Sequence, residues 1–445
     1  MKITREMFIS GPYKDCPNCK SIGTFGVFMA ISGSKKYQRE CLKCSHEESF
    51  PLPKIEKKVI YLDQFILSNL TKLLDKTYPK NSDLLADPFW SKLYEKLEHV
   101  SKAQAVVFPD SFFHKDESVV GKVNFQYIRR LYQHLSTGKT FFPNFVIERI
   151  QIAKHFEAWI KNKPTEYSFD PAEISFEGND LHEWSIGLGV SVNPTPKRDE
   201  IDELIEQNTK SKQRLIQIWT EWQQVTEFDF ISAVKNESLA LRFHINNVVN
   251  FYKRQAEMIQ MLANGENVEW DINSLMPPPS KDLLDELLRI CRQNDFSEQD
   301  GIKKISEYFQ NADTLLEIPK VKIGSVMYAN LARSASLGKK EPPKSFADVE
   351  FISSYLPYCD AMFIDKESKK LLTELPKNTP NQYRLEEFTT NIYTLNEKEE
   401  FLQFLDQIIS DIPQDQINIL EDMSGKNYFK PYWELIEHER KEDPN

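Results

Sequence analysis

The sequence predicts an α/β protein: a parallel sheet flanked by helices, interrupted by a large helical insertion and preceded by a small metal-bound ribbon. Three observations predict it. Short apolar runs of strand length, Val59-Ile60-Tyr61-Leu62, Ala105-Val106-Val107-Phe108 and Ala361-Met362-Phe363-Ile364, alternate with stretches whose apolar residues recur at helical spacing. Two Cys-x-x-Cys pairs lie close together near the N-terminus. Glycine is scarce, 14 of 445 residues, which disfavours a turn-rich all-β fold.

At this length two or three domains are expected, with ample chain for a core. Hydrophobic residues make up 40% and charged residues 28%, the balance of a soluble globular protein. No apolar run is long enough to span a membrane, and MKITREMFISGPYKD lacks the apolar centre of a secretory signal, so a cytoplasmic protein without a membrane partner is expected. Six cysteines, four of them paired by spacing, suit a reducing compartment and a metal rather than a disulfide framework. The net charge of −11 excludes a uniformly basic surface. Residues 1–58 nevertheless hold eleven Lys and Arg against six Asp and Glu, so a polyanion would first meet this head.

The head, residues 1–53, carries Cys16, Cys19, Cys41 and Cys44. Two knuckles about twenty residues apart bring four thiolates to one Zn²⁺, which marks a zinc ribbon. The intervening chain reads as two strands joined at Gly33-Ser34, with Lys35, Lys36, Tyr37 and Arg39 as candidate nucleic-acid contacts near the hairpin tip. A purely structural knob is the competing role. Pro51-Leu52-Pro53 reads as a linker.

Residues 57–160 open the body. The first strand ends in Asp63, and a helix follows from Gln64 to Leu74. After the second strand, Asp110-Ser111 offers a cap for a helix bearing His114 and Glu117. Residues 121–163 read as helical. Gly138-Lys139-Thr140 has the ending of a phosphate loop, but Gln133 stands where its first glycine belongs. The insertion, 161–317, begins with a proline-rich stretch in which Asp180, His182 and Glu183 read as loop residues. A long helical region over about 201–262 follows, then helices at 281–293 and 299–310.

In residues 318–410 the α/β pattern resumes, with helices at 325–337, 369–375 and 398–409 and a last strand at 391–395. The central stretch is SFADVEFISSYLPYCDAMFIDK, 345–366, which places Asp348 early on a helix closed by Pro357 and Asp365 at the end of a strand. Residues 411–445 are acidic and expected at the periphery. If both α/β parts share one sheet, Asp63, Glu117, Asp348 and Asp365 converge. Clustered carboxylates raise one another's pKa, and hard divalent ions relieve that repulsion. Mg²⁺ or Mn²⁺ in such a cluster suits phosphodiester hydrolysis. Asp63 and Asp348 equally suit helix caps.

The strand VIYLDQ, the segment VVFPDSFFHKDES, the stretch DVEFISSYLPYCDAMFIDK and the strand NIYTL together resemble a PIN-like nuclease domain, over about 57–160 and 318–410. The resemblance implies a parallel sheet and four acids, Asp63, Glu117, Asp348 and Asp365, holding Mg²⁺ or Mn²⁺. It assigns Asp360 a secondary place. It further implies endonucleolytic cleavage, of RNA rather than DNA, with a toxin or anti-phage role and a protein regulator. Gln64 departs from the small residue usual after the first acid, and Asp110 and Asp116 compete with Glu117. A non-catalytic binding module built on the ribbon and a PIN-like scaffold is the alternative.

Overall fold

The computed structural model describes residues 5–28, 35–75, 86–115, 125–176, 181–185, 198–265, 277–278, 280–342, 346–388 and 391–425. The head forms a four-stranded antiparallel sheet, β1 (Ile9–Lys14), β2 (Phe25–Phe28), β3 (Lys36–Cys41) and β4 (Glu47–Pro51), in that order. Two strands were expected. The outer pair, ISGPYK and EESFP, carries too few apolar residues to signal itself. The Gly33-Ser34 turn lies outside the described residues.

The body is α/β, centred on four parallel strands: β5 (Lys58–Leu62), β6 (Val106–Val107), β7 (Ala361–Phe363) and β8 (Ile392–Tyr393), ordered β6-β5-β7-β8. Continuous apolar strands are what a sheet covered on both faces requires. Alternate residues divide accordingly. Ile60, Leu62, Val106, Ala361 and Phe363 face one core with α1 (Gln64–Leu74) and α2 (Pro88–Lys102). Val59, Tyr61, Val107, Met362 and Ile392 face the other.

After β6 come α3 (Phe125–Ser136) and α4 (Asn144–Ile160), separated by Gly138 at φ 80° and by Pro143, so the helical stretch expected over 121–163 is two helices. The helical region expected over about 201–262 is three helices: α5 (Arg198–Gln223), α6 (Phe230–Leu239) and α7 (Arg242–Ala263). Asp229 breaks it, its side chain accepting from the Ile231 amide at 3.0 Å to cap α6. Next come α8 (Ser280–Gln293), α9 (Glu298–Phe309) and α10 (Pro319–Ser336). Thirteen of the eighteen α10 residues are buried, which makes it the central helix rather than a surface one. Trp219, Phe230 and Val234 from the insertion enter the same core as Tyr61 and Met362, so the insertion is part of the body's packing.

α11 (Ala347–Tyr355) precedes β7, α12 (Lys366–Thr373) follows it, and α13 (Lys398–Ser410) and α14 (Gln414–Ser424) are the last helices among the described residues. The last helix corrects the expectation of a peripheral tail. Gln416, Leu420 and Met423 are buried, and Gln416 Nε2 donates to the Ala103 carbonyl at 2.6 Å. Among the described residues no helix is long and apolar enough to cross a membrane.

Candidate metal centres

The four cysteines meet as expected. One ligand atom from each of Cys16, Cys19, Cys41 and Cys44 lies within 4.8 Å of the others, so the cluster could bind a metal such as zinc. The Cys16–Cys44 and Cys19–Cys41 sulfurs are 3.7 Å apart. A tetrahedral zinc with bonds of about 2.3 Å separates its sulfurs by about 3.8 Å. The two knuckles repeat one local design. Lys20 donates its amide to the Cys16 carbonyl and Ser45 to that of Cys41, both at 3.0 Å, and both residues turn through positive φ. Burial chiefly pushes the Cys16 thiol up to about 11. Burial also opposes ionisation of Cys41, but the Thr24 hydroxyl and the Lys43 and Cys44 amides bring it down to about 6. A cation would settle all four as thiolates.

The acids form the second cluster. Carboxylate oxygens of Asp63, Asp348 and Asp365 all lie within 4.8 Å of one another. In an octahedral shell with bonds of about 2.1 Å, ligand oxygens lie about 3–4 Å apart, so small closures suffice for a hard ion. The placement follows from topology. The chain leaves β5 for β6 on one side, then returns to β7 on the other. That reversal makes β5 and β7 a switch point, and parallel sheets bind ligands beyond the carboxyl ends of the strands at such a point. Asp63 follows β5, and Asp365 stands two residues after Phe363, the end of β7. Asp348 enters from the first turn of α11.

Both strand-end acids also cap helices, so the structural and the metal-binding readings coexist. Asp63 accepts from the Phe65 amide at 3.1 Å. Asp365 accepts from the Glu367 amide at 2.8 Å, the Ser368 amide at 3.1 Å and the Ser368 hydroxyl. A carboxylate has about four lone-pair directions, so capping does not exhaust either group. Two residues after Asp348, Glu350 anchors the same first turn of α11: it accepts from Asn144 and Tyr328 at 3.0 Å and from Lys320 at 3.3 Å. Burial opposes the Glu350 charge, yet Lys320 beside it holds the carboxyl below its ordinary range.

Behind Asp63 lies a dry wall. His114 Nε2 is 2.9 Å from the Leu62 carbonyl, which can only accept, so Nε2 carries the proton. His114 Nδ1 then accepts from the Ser111 hydroxyl at 2.8 Å. Tyr132 adds its hydroxyl at 3.3 Å from the same carbonyl. The carbonyl immediately before Asp63 is thereby fixed. Burial drives the His114 pKa down to about 3, so it is neutral and serves as a donor rather than a base.

Two expectations change. Tyr37 and Arg39 are buried, not offered to a polyanion: Tyr37 donates to Asp422 at 2.6 Å, and Arg39 reaches the same carboxylate at 3.2 Å. Only Lys35 and Lys36 of that set are exposed. Asp360 stands at the opposite end of β7 from Asp365, where it accepts from the Val59 amide and Lys58 Nζ, each at 2.8 Å. It extends the strand pairing and is remote from the acid cluster. Asp110 is committed to Arg129, both nearly fully buried, which removes it as a rival ligand. Glu117 and Asp116 lie outside the described residues. Asp422, which joins head to body, was missed; its partners stand 383 and 385 positions away, and no local signal connects them.

Compared with protein-family models, curated proteins and solved structures, the chain has no match in any of the three.

Proposed function

We propose that this chain is a PIN-like, metal-dependent endonuclease acting on RNA, with Mg²⁺ or Mn²⁺ held by Asp63, Asp348 and Asp365 and with Glu117 as fourth acid. One observation carries the reading: three carboxylates from three elements meet within 4.8 Å beside the switch point of a parallel sheet. A hard divalent ion relieves the repulsion between carboxylates held this close. Bound there, a divalent cation supplies Lewis-acid polarisation of a phosphoryl oxygen and a more acidic water.

The chain's own residues do the rest. The amides that bind Asp63 and Asp365 fix the directions of those carboxylates. The N-termini of α1 and α12 aim partial positive charge at an anionic substrate. Neutral His114 and Tyr132 close the floor under Asp63 against water. In the head, Lys35 and Lys36 remain as backbone contacts, over a zinc-held sheet. A toxin or anti-phage role, restrained by a protein regulator, fits this chemistry.

The test is cleavage of single-stranded RNA and DNA with Mn²⁺ by the wild type, Asp63→Asn and Asp365→Asn. Asparagine keeps the helix cap, so melting should not change. Losing an ion's several kcal/mol of transition-state stabilisation should cut the rate by about 100-fold or more. If all three proteins treat both substrates alike, the enzyme reading fails and a non-catalytic binding module stands in its place.

A further inference from the structure

We propose that Phe112 and Phe176 form a base-stacking platform beside the acid cluster, with Lys115 as its phosphate contact, so that the substrate is engaged as a single strand. This deepens the nuclease reading and rests on it.

The two rings are exposed, 38% and 39%, although each is large and apolar. They lie stacked, with centroids 6.3 Å apart and planes at 30°. Phe142 braces Phe176 edge-on at 5.0 Å. Lys115 Nζ sits 4.9 Å from the centre of the Phe112 ring. Stacked faces next to a cation are the surface that unpaired bases and their phosphates fit, whatever the sequence.

The position follows from the fold. Phe112 lies two residues before His114, which grips the carbonyl preceding Asp63. It therefore belongs to the carboxyl edge of the sheet, where the acids stand. Phe176 is tied to the same edge through two isolated strand bridges. Thr140 pairs with Asp110, Ser175 pairs with Phe141, and the Phe176 amide donates to the Thr140 carbonyl at 3.3 Å. A duplex keeps its base faces stacked inside and has none to offer these rings.

The experiment is fluorescence anisotropy with a labelled single-stranded RNA of about twelve nucleotides, and with a duplex of equal length. It uses the zinc-loaded full chain without added Mg²⁺ or Mn²⁺, so that binding is read without cleavage. Phe112→Ala/Phe176→Ala should bind the single strand at least about tenfold more weakly, with unchanged melting. Phe112→Leu/Phe176→Leu, which keeps apolar bulk without an aromatic face, should lose as much. Phe243→Ala removes an exposed ring from α7 and should bind like the wild type. Lys115→Ala should flatten the dependence of log affinity on log salt by about 0.7. A double variant that binds like the wild type overturns the platform, as does equal affinity for duplex and single strand. Failure of the nuclease reading shows separately, as a wild type that binds through these rings yet does not cleave with Mn²⁺.

Discussion

At the residue scale, buried polar groups near the acids fix positions rather than react. Asp110 and Arg129 are 5% and 4% exposed and pair directly. Arg129→Met leaves a buried carboxylate without its counter-charge and should cost about 3 kcal/mol in urea unfolding. His114 makes a pH prediction. Its folded pKa of about 3 lies below its unfolded value near 6.5, so between these limits the unfolded chain binds more protons. Its contribution is fully present above pH 6.5 and is lost as pH falls toward 3. One proton corresponds to at most about 1.4 kcal/mol per pH unit. His99 and His155, also lowered mainly by burial, act with the same sign. The stability gap between wild type and His114→Asn should therefore shrink from pH 7 to pH 5; a constant gap would contradict the buried neutral imidazole.

At the scale of elements, the head and α14 form one joint. Lys14, Tyr37 and Arg39 all converge on Asp422. Among the described residues the head's apolar cluster holds Phe25 with the buried cysteines Cys16 and Cys41, and Ile9, Val27 and Tyr37 are buried beside it, a small core for four strands. If the cysteines hold a metal such as zinc, removing it with a chelator, or by Cys16→Ser with Cys41→Ser, should melt the head and loosen α14 together. Hydrogen exchange should show lost protection in β2, β3 and α14 while β5 and β7 stay protected. Protection retained in α14 would mean that the joint does not depend on the metal. Tyr37 and Arg39 read as surface contacts from their place near a basic hairpin tip, and the period-two pattern KYQREC puts the two on one face. Lys36 at its start is exposed, but the alternation does not say which face is covered, and the cover is a helix at the other end of the chain.

At the scale of the whole molecule, what the sequence made legible was set by local chemistry. Apolar runs marked β5, β6 and β7, and Cys-x-x-Cys spacing marked the thiolate cluster. Strand-end position singled out Asp63 and Asp365, which the fold then brought together from 302 positions apart. Strand direction separates Asp360 from Asp365 by the length of β7, a distinction the stretch alone does not display. The packing of the insertion was illegible for a different reason. Trp219, Phe230 and Val234 carry the same helical periodicity whether they bury against one another or against Tyr61. In the proposed site, three acids from distant parts of the chain hold one divalent ion. Anomalous diffraction from a crystal soaked in Mn²⁺ tests this most directly. A manganese peak is expected about 2.1 Å from oxygens of Asp63, Asp348 and Asp365. A soaked crystal with no peak among these carboxylates would contradict the proposed site.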